Sequence, residues 1–188
     1  MSLGRRVLIP TLTALALSLG CAAQPREPLA QDPPQEAPAK PAKTGPVASK
    51  RTRAIALRLR PGQDLLRELQ AAVERERLEA AAVVTCVGSL TKVTLRYANQ
   101  PKGTLIEGHH LEIVSLVGTL STHGTHLHLS VSDERGNTLG GHLLEGSSVY
   151  TTAEIVLLAC DDLRFVRELD PVSTYEELAI EPVSPEAR

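Results

Sequence analysis

The segment that decides the fold is Thr125–Ser132, which reads THLHLSVS. Polar and apolar residues alternate along it, and successive side chains of a β-strand point to opposite faces. His126 and His128 therefore lie on one face, whereas Leu127 and the apolar residues that follow it enter the core. The pattern predicts a half-buried strand that presents two imidazoles side by side.

A tight turn follows this strand at Asp133–Asn137, which reads DERGN. A three-residue hairpin loop commonly ends on a residue in the left-handed conformation, which glycine adopts without strain, and Gly136 occupies that position. In this register Asp133 pairs with Asn137, and His128 lies opposite His142 with Cβ atoms roughly 5 Å apart. A slip of one residue would turn His142 to the other face.

The hairpin thus brings together His126, His128 and His142. Gly140 and Gly141 are expected to leave space beside them. Neutral imidazoles are ligands for zinc and similar divalent transition metals. A structural zinc site normally has four protein ligands, so three histidines would leave one coordination position open. The alternative is three solvated histidines on a sheet face. The other histidines are expected at the surface: His109, His110 and His123.

The rest of the domain is predicted to contain one early helix and many strands. Apolar residues at helical spacing place the helix over 64–78. Alternating or continuous apolar segments predict strands at 54–60, 81–87, 90–97, 111–120, 125–132, 138–144, 149–159 and 163–169. A bulge or bend is expected at Gly88 and Ser89. The pattern indicates an α+β fold on a largely antiparallel sheet.

The N-terminal segment has the pattern of an export signal. Arg5 and Arg6 precede an uncharged, mostly apolar run over 7–20, which is shorter than the roughly 20 residues that span a bilayer. Cys21 follows it in a context that resembles a bacterial lipobox, which predicts lipidation of this cysteine and anchoring in a membrane on the periplasmic side. The alternative is an ordinary signal peptide that is cleaved near Ala22.

The next segment, 22–50, holds seven of the 13 prolines, which favour an extended, solvated chain. The predicted organisation is a signal peptide at 1–20, a lipidated cysteine with a proline-rich tether at 21–50, a folded domain at 51–172 and a polar tail at 173–188. The basic cluster Lys50–Arg53 lacks the Arg-Gly-Arg-Pro core of an AT-hook, so it is interpreted as a solvated linker end.

Composition limits the partners of the domain. Hydrophobic residues make up 42% of the chain and aromatic residues only 2%, so the core must be aliphatic. From Cys21 onward the chain has 18 basic and 22 acidic residues, a net charge of −4. Few aromatic rings and no basic excess argue against a nucleic-acid partner. Cys86 and Cys160 lie in apolar segments and are interpreted as free thiols, with a disulfide as the alternative outside the cytoplasm.

Several stretches together resemble the PPC (plants and prokaryotes conserved) domain family, over about residues 54–170. These stretches are LRLRPGQDL at 57–65, GSL at 88–90, LEIVSLVGTL at 111–120, HLHLS at 126–130, GGHL at 140–143 and VYTTAEI at 149–155. The resemblance implies an antiparallel-rich sheet flanked by helices and a homotrimer. It also implies a metal, usually zinc, on His126, His128 and His142. Plant members accompany AT-hooks in DNA-binding proteins.

The leading functional hypothesis is an exported, metal-containing binding module, tethered to a membrane, that recognises a small molecule or another protein. A second hypothesis is an enzyme whose metal activates water, with Glu145 or Glu154 as the base. A third, suggested by the family resemblance, is a DNA-binding protein.

Overall fold

The computed structural model describes residues 45–183, and of His109 only the backbone. The predicted signal peptide, the lipidation of Cys21, most of the tether and the end of the tail lie outside the described residues. Within residues 45–183, no helix has both the length and the apolar character needed to cross a membrane.

The described chain contains eight strands and one helix. They are β1 Thr52–Leu59, α1 Leu65–Glu76, β2 Ala81–Arg96, β3 Thr104–Ser121, β4 Gly124–Ser132, β5 Thr138–Leu143, β6 Ser148–Cys160, β7 Leu163–Leu169 and β8 Glu176–Pro182. Every strand pair is antiparallel, which confirms the predicted sheet. The single helix agrees with the one helix predicted from apolar spacing, and residues 45–183 contain no second helix of the kind that the family resemblance implies.

Helix α1 packs one apolar face against the sheet. Asp64 caps its N-terminus, because its Oδ1 accepts hydrogen bonds from the backbone N–H groups of Leu66 and Arg67, both at 3.1 Å. The helix ends at Arg77, whose left-handed conformation, with φ of 50°, lets its N–H bond back to the last turn. Its buried residues are Leu65, Leu66, Leu69, Ala72 and Val73.

The six-stranded sheet has the order β1-β6-β2-β3-β4-β5 and curls back on itself. The end of β2 also pairs with β5, where Leu95 lies opposite Leu143 and Arg96 opposite His142. The aliphatic core, including Leu95 and Leu143, lies inside this curled sheet and under α1. The closure joins β2 to a strand more than 40 residues later in the chain, and it places the histidine face of β5 beside β2.

Strand β2 is one 16-residue strand, where the sequence predicts two. Its pairing with β6 shifts register between Gly88 and Leu90, so the predicted irregularity is a bulge within a continuous strand. Gly88 has a φ of +146°, and a Cβ on it would lie 2.0 Å from the carbonyl oxygen of Thr152. Strand β3 likewise begins seven residues before the predicted strand, because residues 104–107 continue the ladder with β2.

The predicted polar tail is wrong for residues 176–182. This segment forms β8, which pairs along its whole length with β7 from Leu163↔Pro182 to Leu169↔Glu176. The hairpin is held to the main sheet by backbone and side-chain bonds: the N–H of Phe165 donates to the carbonyl of Glu79, and the hydroxyl of Ser121 donates to the carbonyl of Phe165, both at 2.8 Å. Backbone pairing here compensates for a sequence with little apolar alternation.

Candidate metal centre

Strand β4 carries the first two histidines as predicted. Leu127 and Leu129 are each 1% exposed and Val131 is fully buried, so the apolar side of the strand enters the core. His126 and His128 occupy the opposite, exposed side. The burial of the three apolar residues therefore fixes which way the imidazoles point.

The turn sets the position of the third histidine. The Asp133 carboxylate accepts hydrogen bonds from the backbone N–H groups of Arg135 and Asn137, both at 2.9 Å, and Gly136 adopts a φ of +80°. The resulting register places His128 opposite His142, as the sequence predicts. Local turn chemistry thus brings two distant parts of the hairpin into one histidine cluster.

The histidine cluster, His126, His128 and His142, is compact. The Nε2 atoms of His126 and His128 are 3.2 Å apart, and one nitrogen from each of the three rings lies within 4.8 Å of the others. The ring centroids are 5.1 to 5.7 Å apart. Four-coordinate zinc with Zn–N bonds of about 2.0–2.1 Å requires ligand nitrogens about 3.3–3.4 Å apart. The cluster fits such an ion after small side-chain rotations.

Electrostatics favour the neutral imidazoles that a metal needs. Burial and then the positive charge of Arg96 lower the pKa of His142 to about 4. Burial and the neighbouring His128 lower the pKa of His126. The Nδ1 atom of His142 is buried and has no hydrogen-bond partner among the described residues. An unpaired buried nitrogen is costly, so it supports a ligand that the chain itself does not supply.

One detail of the predicted site is wrong. Gly141 does not leave open space, since a Cβ on it would lie 2.8 Å from the carbonyl oxygen of Arg96, and one on Gly140 would lie 3.0 Å from that of Leu129. The glycines instead let β5 approach the neighbouring strands closely. This approach is what brings Arg96 beside His142.

A cavity of about 670 Å³ opens beside the cluster. Two of its histidines line this cavity, together with residues that the sequence analysis did not identify: Arg96, Arg167, Tyr175, Glu176 and Glu177. Arg96 comes from the closure of the sheet, and the others come from the β7–β8 hairpin and its turn. The alternation of apolar and polar residues along β7 could have suggested that Arg167 is exposed. No local pattern, however, predicts which part of the chain the side chain of Arg167 faces.

The remaining candidates are not part of the histidine cluster. His110 is exposed with its Nε2 3.3 Å from the Tyr150 hydroxyl, and His123 lies in a turn 3.4 Å from a Glu79 oxygen, so both are surface residues as expected. The side chain of His109 is outside the described part. Neither proposed base lines the cavity: Glu145 pairs with an arginine of α1 at 2.7 Å, and Glu154 lies on β6.

The two cysteines of the domain are free thiols. Cys86 is buried, and burial raises its pKa to about 12, whereas Cys160 is partly exposed. The prediction of free thiols is therefore confirmed for both cysteines.

Comparison with curated proteins finds two close relatives. The chain is 49% identical over 128 residues to the bifunctional protein GlmU of Synechococcus sp. strain JA-2-3B'a(2-13), a match that covers 68% of this chain and 20% of the relative. The corresponding protein of strain JA-3-3Ab is 46% identical over 139 residues, 74% of this chain and 22% of the relative. The chain thus spans about a fifth of the length of the curated relatives it matches.

Solved structures share the fold of the domain. A hypothetical protein from Salmonella enterica is 45% identical, with a TM-score of 0.70 over 72% of this chain and 97% of that one. A metal-containing protein from Archaeoglobus fulgidus is 25% identical, with a TM-score of 0.58 over 68% and 93%. Two structures with provisional DNA-binding names, 19% and 21% identical, show the fold alone.

The sequence pattern of one family matches most of the folded domain. It covers residues 47–161, which begin just before β1 and end just after β6, and it includes all three members of the histidine cluster. The match confirms the resemblance inferred from the sequence, and the chain belongs to the Plants and Prokaryotes Conserved (PCC) domain family.

Proposed function

We propose that this protein is an exported, membrane-tethered binding module whose histidine cluster holds one divalent transition metal, most simply zinc. The observation that carries the proposal is the convergence of three imidazole nitrogens within 4.8 Å on one hairpin. A metal supplies a Lewis-acidic open position, because three protein ligands leave room for a fourth. The metal-containing relative from Archaeoglobus fulgidus supports the same assignment.

The backbone pairing that positions the ligand set supports metal binding over three independent solvated histidines. Backbone pairing fixes His128 opposite His142, and the core on the other side of β4 holds the strand in place. Ligands that are already positioned lose little conformational entropy when they bind an ion. The 3.2 Å separation of two ligand nitrogens also matches the spacing around tetrahedral zinc.

Zinc titration of purified protein, followed by calorimetry, tests the metal. We expect one zinc per chain for the wild type and loss of stoichiometric binding for His128→Ala, which removes the central ligand. His123→Ala is the matched control, because His123 lines the same cavity but is not in the histidine cluster. Equal zinc binding by the wild type and His128→Ala would refute the site.

We propose export and membrane anchoring from the sequence of the first 21 residues. The folded domain begins close to the predicted end of the tether, since the N–H of Lys50 donates to the Asp162 carboxylate at 2.7 Å and β1 begins at Thr52. A proline-rich segment of about 30 residues before this point is long enough to hold a domain away from a membrane surface.

We also propose that the domain assembles with copies of itself as a trimer. Four valines on β2 and β3 are more than half exposed: Val84, Val87, Val114 and Val117. An apolar sheet face of this kind is typical of an interface, and its burial would be favourable by roughly 25 cal/mol per Å². Light scattering of the purified protein should give three times the chain mass, and a monomer at micromolar concentration would contradict the proposal.

The two other hypotheses have less support. The enzyme hypothesis named Glu145 or Glu154 as the base, and neither of these two residues lines the cavity. The DNA-binding hypothesis rests on the names of structures whose identity to this chain is low enough to show the fold alone. The acidic balance of the chain also opposes it.

A further inference from the structure

Two guanidinium groups face the cavity beside the histidine cluster. Arg96 of β2 lies directly opposite His142 of β5, so the two side chains project from the same face of the sheet. Arg167 of β7 is positioned by a hydrogen bond from its Nη2 to the Thr119 hydroxyl at 2.9 Å. Thr119 in turn lies opposite His126 on the neighbouring strand. Each arginine is thus attached to the sheet next to a different member of the cluster.

Neither guanidinium has a carboxylate partner within residues 45–183. The ion pairs of the domain involve other arginines, and the side chain of Arg96 makes no hydrogen bond in this part of the chain. Both arginines are only partly exposed, so they have lost some of their hydration. A guanidinium in this state favours an anionic acceptor, which it can bind through two parallel N–H groups.

The charge balance of the cavity leaves room for an anion. Its two arginines are balanced in charge by two acidic residues, Glu176 and Glu177. A divalent ion on the histidine cluster then adds two positive charges that no described residue of the cavity offsets. An anion between the metal and the arginines would remove their mutual repulsion.

We propose that Arg96 and Arg167 form an oxyanion receptor, and that the ligand is a small molecule whose carboxylate or phosphate group binds between them and the open position of the metal. The inference deepens the proposed function, because the metal it invokes is the one assigned to the histidine cluster. A cavity of about 670 Å³ is of the size that accommodates small molecules in proteins. The receptor therefore selects ligands by charge and by planar geometry.

Calorimetric titration of the full-length, zinc-loaded protein with acetate and with inorganic phosphate tests the receptor. We expect millimolar or tighter binding of at least one of them by the wild type, and at least about tenfold weaker binding by Arg96→Gln, since a charged hydrogen-bonding group is lost. Arg96→Lys keeps the charge without the planar fork and should be intermediate. Arg58→Gln is the matched control, because Arg58 bonds to Thr152 away from the cavity and should leave affinity unchanged.

The outcomes separate this inference from the proposed function. If Arg96→Gln binds zinc and also binds both anions as well as the wild type does, or if the wild type binds neither anion, the receptor is refuted while the metal site stands. If the wild type takes up no zinc, the metal assignment fails, and the same titration of the metal-free protein decides whether the arginines bind anions alone. Stronger binding of phosphate than of acetate assigns a phosphorylated ligand, and the reverse assigns a carboxylate.

Discussion

The close contact between β3 and β4 at Gly118 makes a sharp test of how the histidine strand is held. Gly118 has a φ of +138°, and a Cβ on it would lie 1.9 Å from the carbonyl oxygen of His126. Gly118→Ala would therefore combine backbone strain of about 1–3 kcal/mol with a clash against backbone that cannot rotate away. Overpacking adds about 1–3 kcal/mol, so we expect a loss of roughly 2–6 kcal/mol in the free energy of unfolding.

Two other glycines separate these contributions. Gly136→Ala tests backbone strain alone, since Gly136 has a φ of +80° and nothing lies within 4 Å of the added Cβ. It should cost about 1–2 kcal/mol. Gly45→Ala has neither strain nor contact and should leave stability unchanged. Urea unfolding of the metal-free proteins measures all three. If Gly118→Ala costs no more than Gly136→Ala, the reasoning from the close contact is wrong.

Three further predictions concern the N-terminal cap of α1, the pKa of His142 and the lipidation of Cys21. Asp64→Ala removes a carboxylate that caps α1 and accepts from the N–H of Gly146 at 2.7 Å, so urea unfolding should show a loss of about 1–3 kcal/mol, and Asp64→Asn should retain part of it. The metal-free protein should lose stability as the pH falls from 6.5 to about 4, because the unfolded chain protonates His142 at its ordinary pKa of 6.5 and the folded chain only near 4. His142→Ala should flatten the dependence of the free energy of unfolding on pH in this range. An unchanged pH dependence in this variant would contradict the lowered pKa of His142. Cys21→Ser should move the protein from the membrane fraction to the soluble exported fraction, and retention in the membrane would contradict lipidation.

The histidine hairpin could be predicted because its determinants are local. Strand alternation places His126 and His128 on one face, and the turn with Gly136 fixes the register that brings His142 opposite. All of these interactions lie within the 17 residues from His126 to His142. The helix was predictable for the same reason, since its cap and its apolar spacing are both local.

The surroundings of the cluster could not be predicted from the sequence. Arg96 reaches the site through closure of the sheet, and Arg167 through a hairpin that packs across β3. Both contacts join segments tens of residues apart, and no local pattern specifies them. Strand β8 was missed because EELAIEP is rich in charge, so its stability comes from pairing with β7 rather than from a buried face. The space expected at Gly141 was wrong because a glycine also permits close backbone approach.

X-ray absorption at the zinc edge, recorded on the zinc-loaded wild-type protein, identifies the atoms that bind the metal. We expect three imidazole nitrogens at about 2.0–2.1 Å and one light oxygen or nitrogen ligand that is not a protein side chain. Addition of acetate or phosphate should change only that fourth ligand. A sulfur ligand at about 2.3 Å, fewer than three imidazoles, or four protein ligands would rule out a three-histidine site with an open position.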